Sequence, residues 1–166
     1  MKIKFKKLHE GAVLPKKATK GSAAYDLYVP EDVIVKRGRN VISLGFAMEM
    51  EEGYEALVDA RSGFSAKGME GHTFCDFPFP GPCSEFISRE TLRFDCDVIQ
   101  GKIDADYRGC VGVIVNNRDN EEFLIKAGTR IAQLTFLKVE TAEWEETDSL
   151  SDTDRQGGFG STGTGA

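Results

Sequence analysis

Two short stretches of the chain combine residue types that suit the binding of phosphate. Arg61, Ser62 and Gly63 follow an apolar segment, and a guanidinium, a hydroxyl and exposed amides at a strand end are good partners for phosphate oxygens. Gln133 lies among apolar neighbours in the segment 128–134, where an amide without a partner would be costly. Each stretch alone also fits an ordinary structural role, as a turn or as a satisfied buried amide.

A third stretch, residues 101–109, begins and ends with glycine and carries two aspartates in its middle. Asp104 and Asp106 predict a hairpin that turns at 104–106, since aspartate favours turns. A carboxylate is also a base that can activate water, and no grouping of serine or cysteine with histidine suggests a covalent nucleophile. The chain has neither the P-loop pattern nor the Rossmann fingerprint, which excludes the common nucleotide-binding folds.

Short strands must position these stretches, because few segments of ten residues space their apolar residues at the period of a helix. Alternating or β-branched segments, separated by glycine or asparagine, lie at 2–8, 33–35, 56–58, 111–115 and 130–139. Together with 18 glycines, they predict an all-β sandwich, jelly roll or barrel with a short helix at most.

Residues 68–96 interrupt this pattern with phenylalanine, cysteine and proline. Three of the five prolines are Pro78, Pro80 and Pro82, so the stretch 76–82 cannot be a central strand. We interpret the segment as an inserted loop with aromatic anchors. It either packs on its own domain or forms a surface for a protein partner.

Composition limits the class of protein. The 166 residues suffice for one domain, and a net charge of −6 with a pI near 5.0 argues against a nucleic-acid binder. No apolar run is long enough to span a membrane, and the first residues lack the apolar core of a secretion signal. We therefore expect a cytoplasmic protein. The four cysteines form no Cys-x-x-Cys pair, so free thiols are expected rather than a zinc site.

The chain divides into a β domain at 1–139 and a polar segment at 140–166. Residues 140–155 are acidic, and the glycine-rich end predicts a flexible tail. Glycines mixed with hydroxyls can also form a nest of backbone amides that binds an anion. Both interpretations hold if the tail becomes ordered only over a ligand.

Five motifs, in the order in which they occur along the chain, resemble those of the trimeric dUTPase family. They lie at 21–27 (GSAAYDL), 61–63 (RSG), 103–109 (IDADYRG), 128–134 (GTRIAQL) and in the tail at 155–163. A single motif is weak evidence, whereas the ordered set is specific. The resemblance covers residues 1–67 and 97–163, that is, nearly all of the chain except the insert.

The resemblance implies a distorted jelly-roll-like barrel and a homotrimer whose sites are shared between subunits. It implies hydrolysis of dUTP to dUMP and pyrophosphate with Mg²⁺, with Asp104 orienting the attacking water. Asp26 would contact the metal indirectly, through water. Two other functions stay open on the same fold: a dCTP deaminase relative, and a nucleotide-gated regulatory protein that binds a partner through the insert.

The resemblance also implies three groups of substrate contacts. The uracil edge and the deoxyribose would meet Lys102, Ile103, Gly112 and Tyr107. The phosphates would meet Arg61, Ser62, Gly63 and Gln133. The tail would close over a neighbouring subunit's site, with Phe159 on the base and Arg155, Gly160, Ser161 and Thr162 on the terminal phosphates. The chain departs from the family pattern in having one residue fewer between Arg155 and Phe159.

Overall fold

The computed structural model describes residues 1–75, 86–87 and 90–154. Over these residues the backbone forms fifteen strands and one short helix, α1 at Ser62–Lys67. The prediction of an all-β fold with a short helix at most is confirmed. The strands are β1 (Lys4–Lys7), β2 (Tyr25–Tyr28), β3 (Val33–Val35), β4 (Gly38–Ser43), β5 (Phe46–Glu49), β6 (Tyr54–Asp59), β7 (Met69–Gly71), β8 (Phe74–Cys75), β9 (Phe86–Ile87), β10 (Leu92–Phe94), β11 (Cys96–Ile99), β12 (Gly101–Ile103), β13 (Gly112–Asn117), β14 (Phe123–Ile125) and β15 (Arg130–Lys138).

A four-stranded antiparallel sheet contains Gln133 and leads directly into the stretch at Arg61. Its order is β12-β6-β15-β2, so the long strand β15 lies between β6 and β2. Gln133 of β15 pairs with Asp26 on one side and with Asp59 on the other. The ladder to β2 shifts its register between Arg130 and Ala132. Such bulges redirect side chains, and here the side chain of Arg130 is directed to Asp26.

A three-stranded sheet, in the order β11-β13-β4, contributes the other large part of the core. Along β13, half-buried and buried residues alternate strictly, as expected for a strand with one face in a core. Two-stranded pairs, β1 with β5 and β3 with β14, complete the layers. Fully buried side chains from several of these sheets form one cluster, which includes Leu27, Leu44, Val113, Val115, Phe123, Ile125, Ile131 and Leu134.

The two arms of the insert pair with each other in a β ladder, where the sequence predicted a loop. Strands β7 and β10 pair antiparallel at its base, and β8 pairs with β9 further out. The ring of Phe94 stacks on Phe123 of the core at 3.9 Å between centroids, and His72 exchanges two backbone hydrogen bonds with Leu124. The base of the insert therefore packs on its own domain. The proline-rich stretch 76–82 lies outside the described residues.

Residues 140–154 are exposed and form no strand or helix. In the described part of the chain, no helix is long and apolar enough to cross a membrane. Cys96 is a buried free thiol and Cys110 a half-buried one.

Candidate active site

Asp26 lies at the centre of a charged network where β2, β6 and β15 meet. Its carboxylate is buried, with Oδ1 3.1 Å from Nε of Arg61 and Oδ2 3.2 Å from Nη1 of Arg130. A buried carboxylate is costly unless it is paired, and two guanidinium groups supply that pairing. Asp26 therefore fixes both arginines, whose remaining N–H groups stay available to an anion.

Gln133 holds the backbone that leads into the second motif. Its Nε2 donates a hydrogen bond of 2.8 Å to the carbonyl of Ala60, and Nη1 of Arg61 donates one of 3.3 Å to the carbonyl of Arg130. The half-buried amide thus has its partner. Gln133 does not line the phosphate cleft described next. In this conformation its hydrogen bond holds the backbone of Ala60, the residue immediately before Arg61.

A cleft of about 250 Å³ opens beside these arginines, between α1 and the base of the insert. We call it the phosphate cleft because its walls carry four cations and one carboxylate, a balance that suits a polyanion. Of the predicted residues, Arg61 and Gly63 line it, whereas Ser62 is exposed at the start of α1 and does not. The charged lining residues are Arg61, Lys67, Glu70, Arg93 and Arg130.

Sequence reasoning gave no role to Lys67, Thr129, Arg93 or Arg130 in this cleft. Arg130 belongs to the fourth motif, and its approach to Asp26 depends on the bulge in β15. Arg93 arrives through the pairing of β10 with β7, which places it opposite Glu70. No local pattern marks Arg93, because only this long-range register brings it to the cleft.

A second cleft, of about 340 Å³, is lined by Asp104 and by all the residues predicted to contact the base and the sugar. We call it the nucleoside cleft, after the contacts that the resemblance implies for these residues. Residues Lys102, Ile103, Asp104, Tyr107 and Gly112 all line it, together with apolar side chains such as Val41, Val58, Ile99 and Ile114. Among its lining residues, Asp104 is the single carboxylate.

The nucleoside cleft forms because the hairpin opens towards its turn. Strands β11 and β13 pair with each other as far as Ile99 and Ile114. Beyond that point β12 pairs with β6, while Gly112 of β13 pairs with Ser43 of β4. The two arms of the hairpin therefore separate. The backbone edge of β12 that faces away from β6 pairs with no strand of the described residues, and its N–H and C=O groups can bind the polar edge of a planar ligand. Nζ of Lys102 lies 2.6 Å from Oε2 of Glu55, so its charge is already paired.

Tyr107 is held in a fixed position at the mouth of this cleft. Its hydroxyl donates a hydrogen bond of 3.0 Å to the carbonyl of Cys110, and its N–H donates one of 3.1 Å to the carbonyl of Asp104. The ring also occupies the space beside Gly109, where a Cβ atom would lie 2.4 Å from the hydroxyl oxygen. A side chain at position 109 would therefore push the ring of Tyr107 out of this position.

Asp104 and Arg61 of one chain lie towards opposite ends of β6. Ile103 pairs with Ala56, so the continued register places Asp104 beside Glu55. Arg61 lies six residues further along the chain from Glu55, which corresponds to about 20 Å in an extended strand. Asp104 and Arg61 of the same chain therefore do not face the same phosphate group.

A metal ion would find few protein ligands here. The described residues contain no group of three or more His, Cys, Asp or Glu side chains arranged to hold an ion. Both oxygens of Asp26 already accept from arginines, although each retains a lone pair for a water molecule. Mg²⁺ keeps several waters and favours ligand phosphates. The donor set thus fits an ion carried mainly by phosphates, with Asp26 reached through water.

The tail residues predicted to contact substrate lie outside the described part of the chain. They are Arg155, Phe159, Gly160, Ser161 and Thr162.

Comparison with known proteins gives consistent matches over almost the full length. A family model described as dUTPase matches residues 10–91 and 90–163. The deoxyuridine 5'-triphosphate nucleotidohydrolase of Nautilia profundicola is 42% identical, with 98% of this chain and 99% of that protein covered. Its counterpart from Hydrogenobaculum sp. is 40% identical over the same shares. The solved structure of Staphylococcus bacteriophage 80alpha dUTPase with dUpNHpp is 25% identical, with a TM-score of 0.76 and 98% of both chains covered.

Proposed function

The chain belongs to the dUTPase family, and from this membership we propose that it hydrolyses dUTP to dUMP and pyrophosphate. One observation carries the proposal. Asp104 and all four residues predicted to contact the base and the sugar line a single cleft in which Asp104 is the only lining carboxylate. The volume of about 340 Å³ falls within the roughly 300–1,000 Å³ usual for small-molecule sites.

The nucleoside cleft would select both the base and the sugar of the substrate. The free backbone edge of β12, at Lys102 and Ile103, offers N–H and C=O groups to the polar edge of uracil. Tyr107 would lie against the deoxyribose, where its fixed ring leaves no room for a 2′-hydroxyl. The hydrogen bond to Cys110 keeps the ring in that position. Discrimination by a ring already in place avoids the cost of ordering it on binding.

Asp104 would act as the general base. Its carboxylate takes a proton from a water molecule as the water oxygen forms a bond to the α-phosphorus. The bond from that phosphorus to the bridging oxygen breaks, and pyrophosphate leaves. A positioned base of this kind contributes about 10²–10⁴-fold to the rate. Arg61 and Arg130 would hold the phosphates and balance the developing charge.

Mg²⁺ would bind the phosphates of the substrate, with Asp26 in contact through water. When bound, the ion neutralises phosphate charge and orients the triphosphate. The protein's own contribution is the rigid pair of arginines on either side of Asp26.

We further propose that the protein is a homotrimer in which each site combines two or more chains. The separation of about 20 Å along β6 supports this arrangement, since Asp104 and Arg61 of one chain cannot meet at one phosphorus. Asp104 of one subunit would then act on a substrate held by Arg61 of another. The tail, including Arg155, Phe159, Gly160, Ser161 and Thr162, would close over the completed site and exclude water.

The direct test measures pyrophosphate release from dUTP, dTTP, dCTP and UTP, with Mg²⁺ or with EDTA. We expect metal-dependent release from dUTP alone. Ammonia released from dCTP would instead identify a deaminase relative. Binding of dUTP without any turnover would favour the regulatory function, and deletion of residues 69–95 followed by a partner-binding assay would examine it.

A further inference from the structure

The base of the insert contributes an arginine to the phosphate cleft. Arg93 lies on β10, opposite Glu70 on β7, and both side chains line the cleft. Nη2 of Arg93 pairs with Oε1 of Glu70, and Nη1 donates a hydrogen bond of 3.2 Å to the carbonyl of Gly68. We propose that Arg93 binds the pyrophosphate part of the substrate, with Glu70 occupying the guanidinium until the phosphates arrive. This inference rests on the function proposed above.

Helix α1 separates Arg93 from Arg61 by a distance similar to the length of a triphosphate. Arg61 immediately precedes the helix, and Gly68, which accepts from Arg93, immediately follows it. The seven residue steps from Arg61 through α1 to Gly68 rise by about 10 Å at helical spacing. A chain of three phosphates has a length of this order. Arg61 and Arg130 therefore serve the end of the cleft at Asp26, and Arg93 with Lys67 serves the other end.

The pairing of Arg93 with Glu70 is easily exchanged for a phosphate. The side chains of Arg93 and Glu70 are 43% and 53% exposed, and an ion pair so open to water contributes little to stability. A phosphate group carries more charge than a carboxylate and accepts the two parallel N–H groups of a guanidinium. The substrate thus displaces Glu70 at little cost, and the hydrogen bond to Gly68 keeps the arginine aligned meanwhile.

The backbone at Gly68 lies close to strand β10. Gly68 has φ of 80°, and a Cβ atom on it would lie 2.4 Å from the carbonyl oxygen of Phe94. The stack of Phe94 on Phe123 fixes β10 from the other side. Arg93 is therefore held by a rigid strand, although it belongs to the insert.

The test compares R93Q and E70Q by titration calorimetry with inorganic tripolyphosphate and, separately, with dUMP. R93Q should weaken tripolyphosphate binding roughly 10-fold, as expected for a lost hydrogen bond between charged groups. E70Q should strengthen it severalfold, because the competing carboxylate is gone. Neither variant should change the affinity for dUMP, whose single phosphate lies at the Asp26 end.

R118Q is the matched control, since Arg118 is another exposed arginine in an ion pair, with Asp97, and lies in neither cleft. It should leave both affinities unchanged. Effects of R93Q and E70Q in the same direction, or no effect of R93Q, would overturn the proposal, because a purely structural ion pair gives that result. Opposite effects in a protein that fails to hydrolyse dUTP would support the role of Arg93 and refute the proposed function instead.

Discussion

Replacing Gly109 by alanine should damage the discrimination between dUTP and UTP. The new Cβ would lie 2.4 Å from the hydroxyl oxygen of Tyr107 and 2.6 Å from its Cζ, so the ring must move. This movement breaks the hydrogen bond to Cys110, worth about 1 kcal/mol. The binding-competent position of the ring then costs about 1 kcal/mol, or roughly 5-fold in kcat/KM for dUTP.

The assay measures kcat/KM for dUTP and for UTP with G109A and with a control, G21A. Gly21 is a suitable control because an added Cβ meets no atom within 4 Å there, and its φ is not positive. We expect the dUTP-to-UTP ratio to fall with G109A and to stay unchanged with G21A. Equal ratios in the two variants would refute the argument that the Tyr107 ring excludes the 2′-hydroxyl.

Three further predictions concern other charged and reactive groups. D104N should keep dUTP binding and lower kcat by about 10²-fold or more; normal turnover would show that Asp104 is not the base. Hydrogen bonds from Lys126 and the N–H of Ala127 lower the pKa of Asp32 from 3.8. The stability that wild type gains over D32N should therefore be present at pH 7 and disappear as the pH falls below 3.8, as measured by urea unfolding; a gap that persists in acid would contradict this. Burial, with nearby aspartates, raises the pKa of Cys96 to about 12, so iodoacetamide should label it only after unfolding, and rapid labelling of the native protein would disprove this protection.

The sequence allowed prediction of the nucleoside cleft because its residues are close together in the chain. Asp104 and Tyr107 lie in one turn, and the opening of a single hairpin brings Lys102 and Gly112 to the same cavity. Turn-forming aspartates and flanking glycines mark such a unit locally. The order of the motifs then identified the family, which the comparisons confirm.

The phosphate cleft was only partly predictable, because long-range pairings assemble it. Arg93 reaches the cleft only because β10 pairs with β7 in this register. The side chain of Arg130 is directed to Asp26 by a bulge that no residue pattern predicts. The insert was predicted as a loop on account of its prolines. Its base nevertheless forms a ladder, since Phe94 gains a stacking partner in Phe123 that lies far away in the sequence.

The measurement that tests the shared site most directly mixes two inactive variants. D104N and R61Q are co-expressed with different tags, and the mixed trimers are isolated and assayed for dUTP hydrolysis. In R61Q, Arg130 still pairs with the buried Asp26, so the fold is preserved. If Asp104 of one subunit acts beside Arg61 of another, about a third of the sites in the isolated mixed trimers contain both intact groups and regain activity. If the two residues served one site within a single chain, every site would lack one of them, and the mixture would stay as inactive as the separate variants.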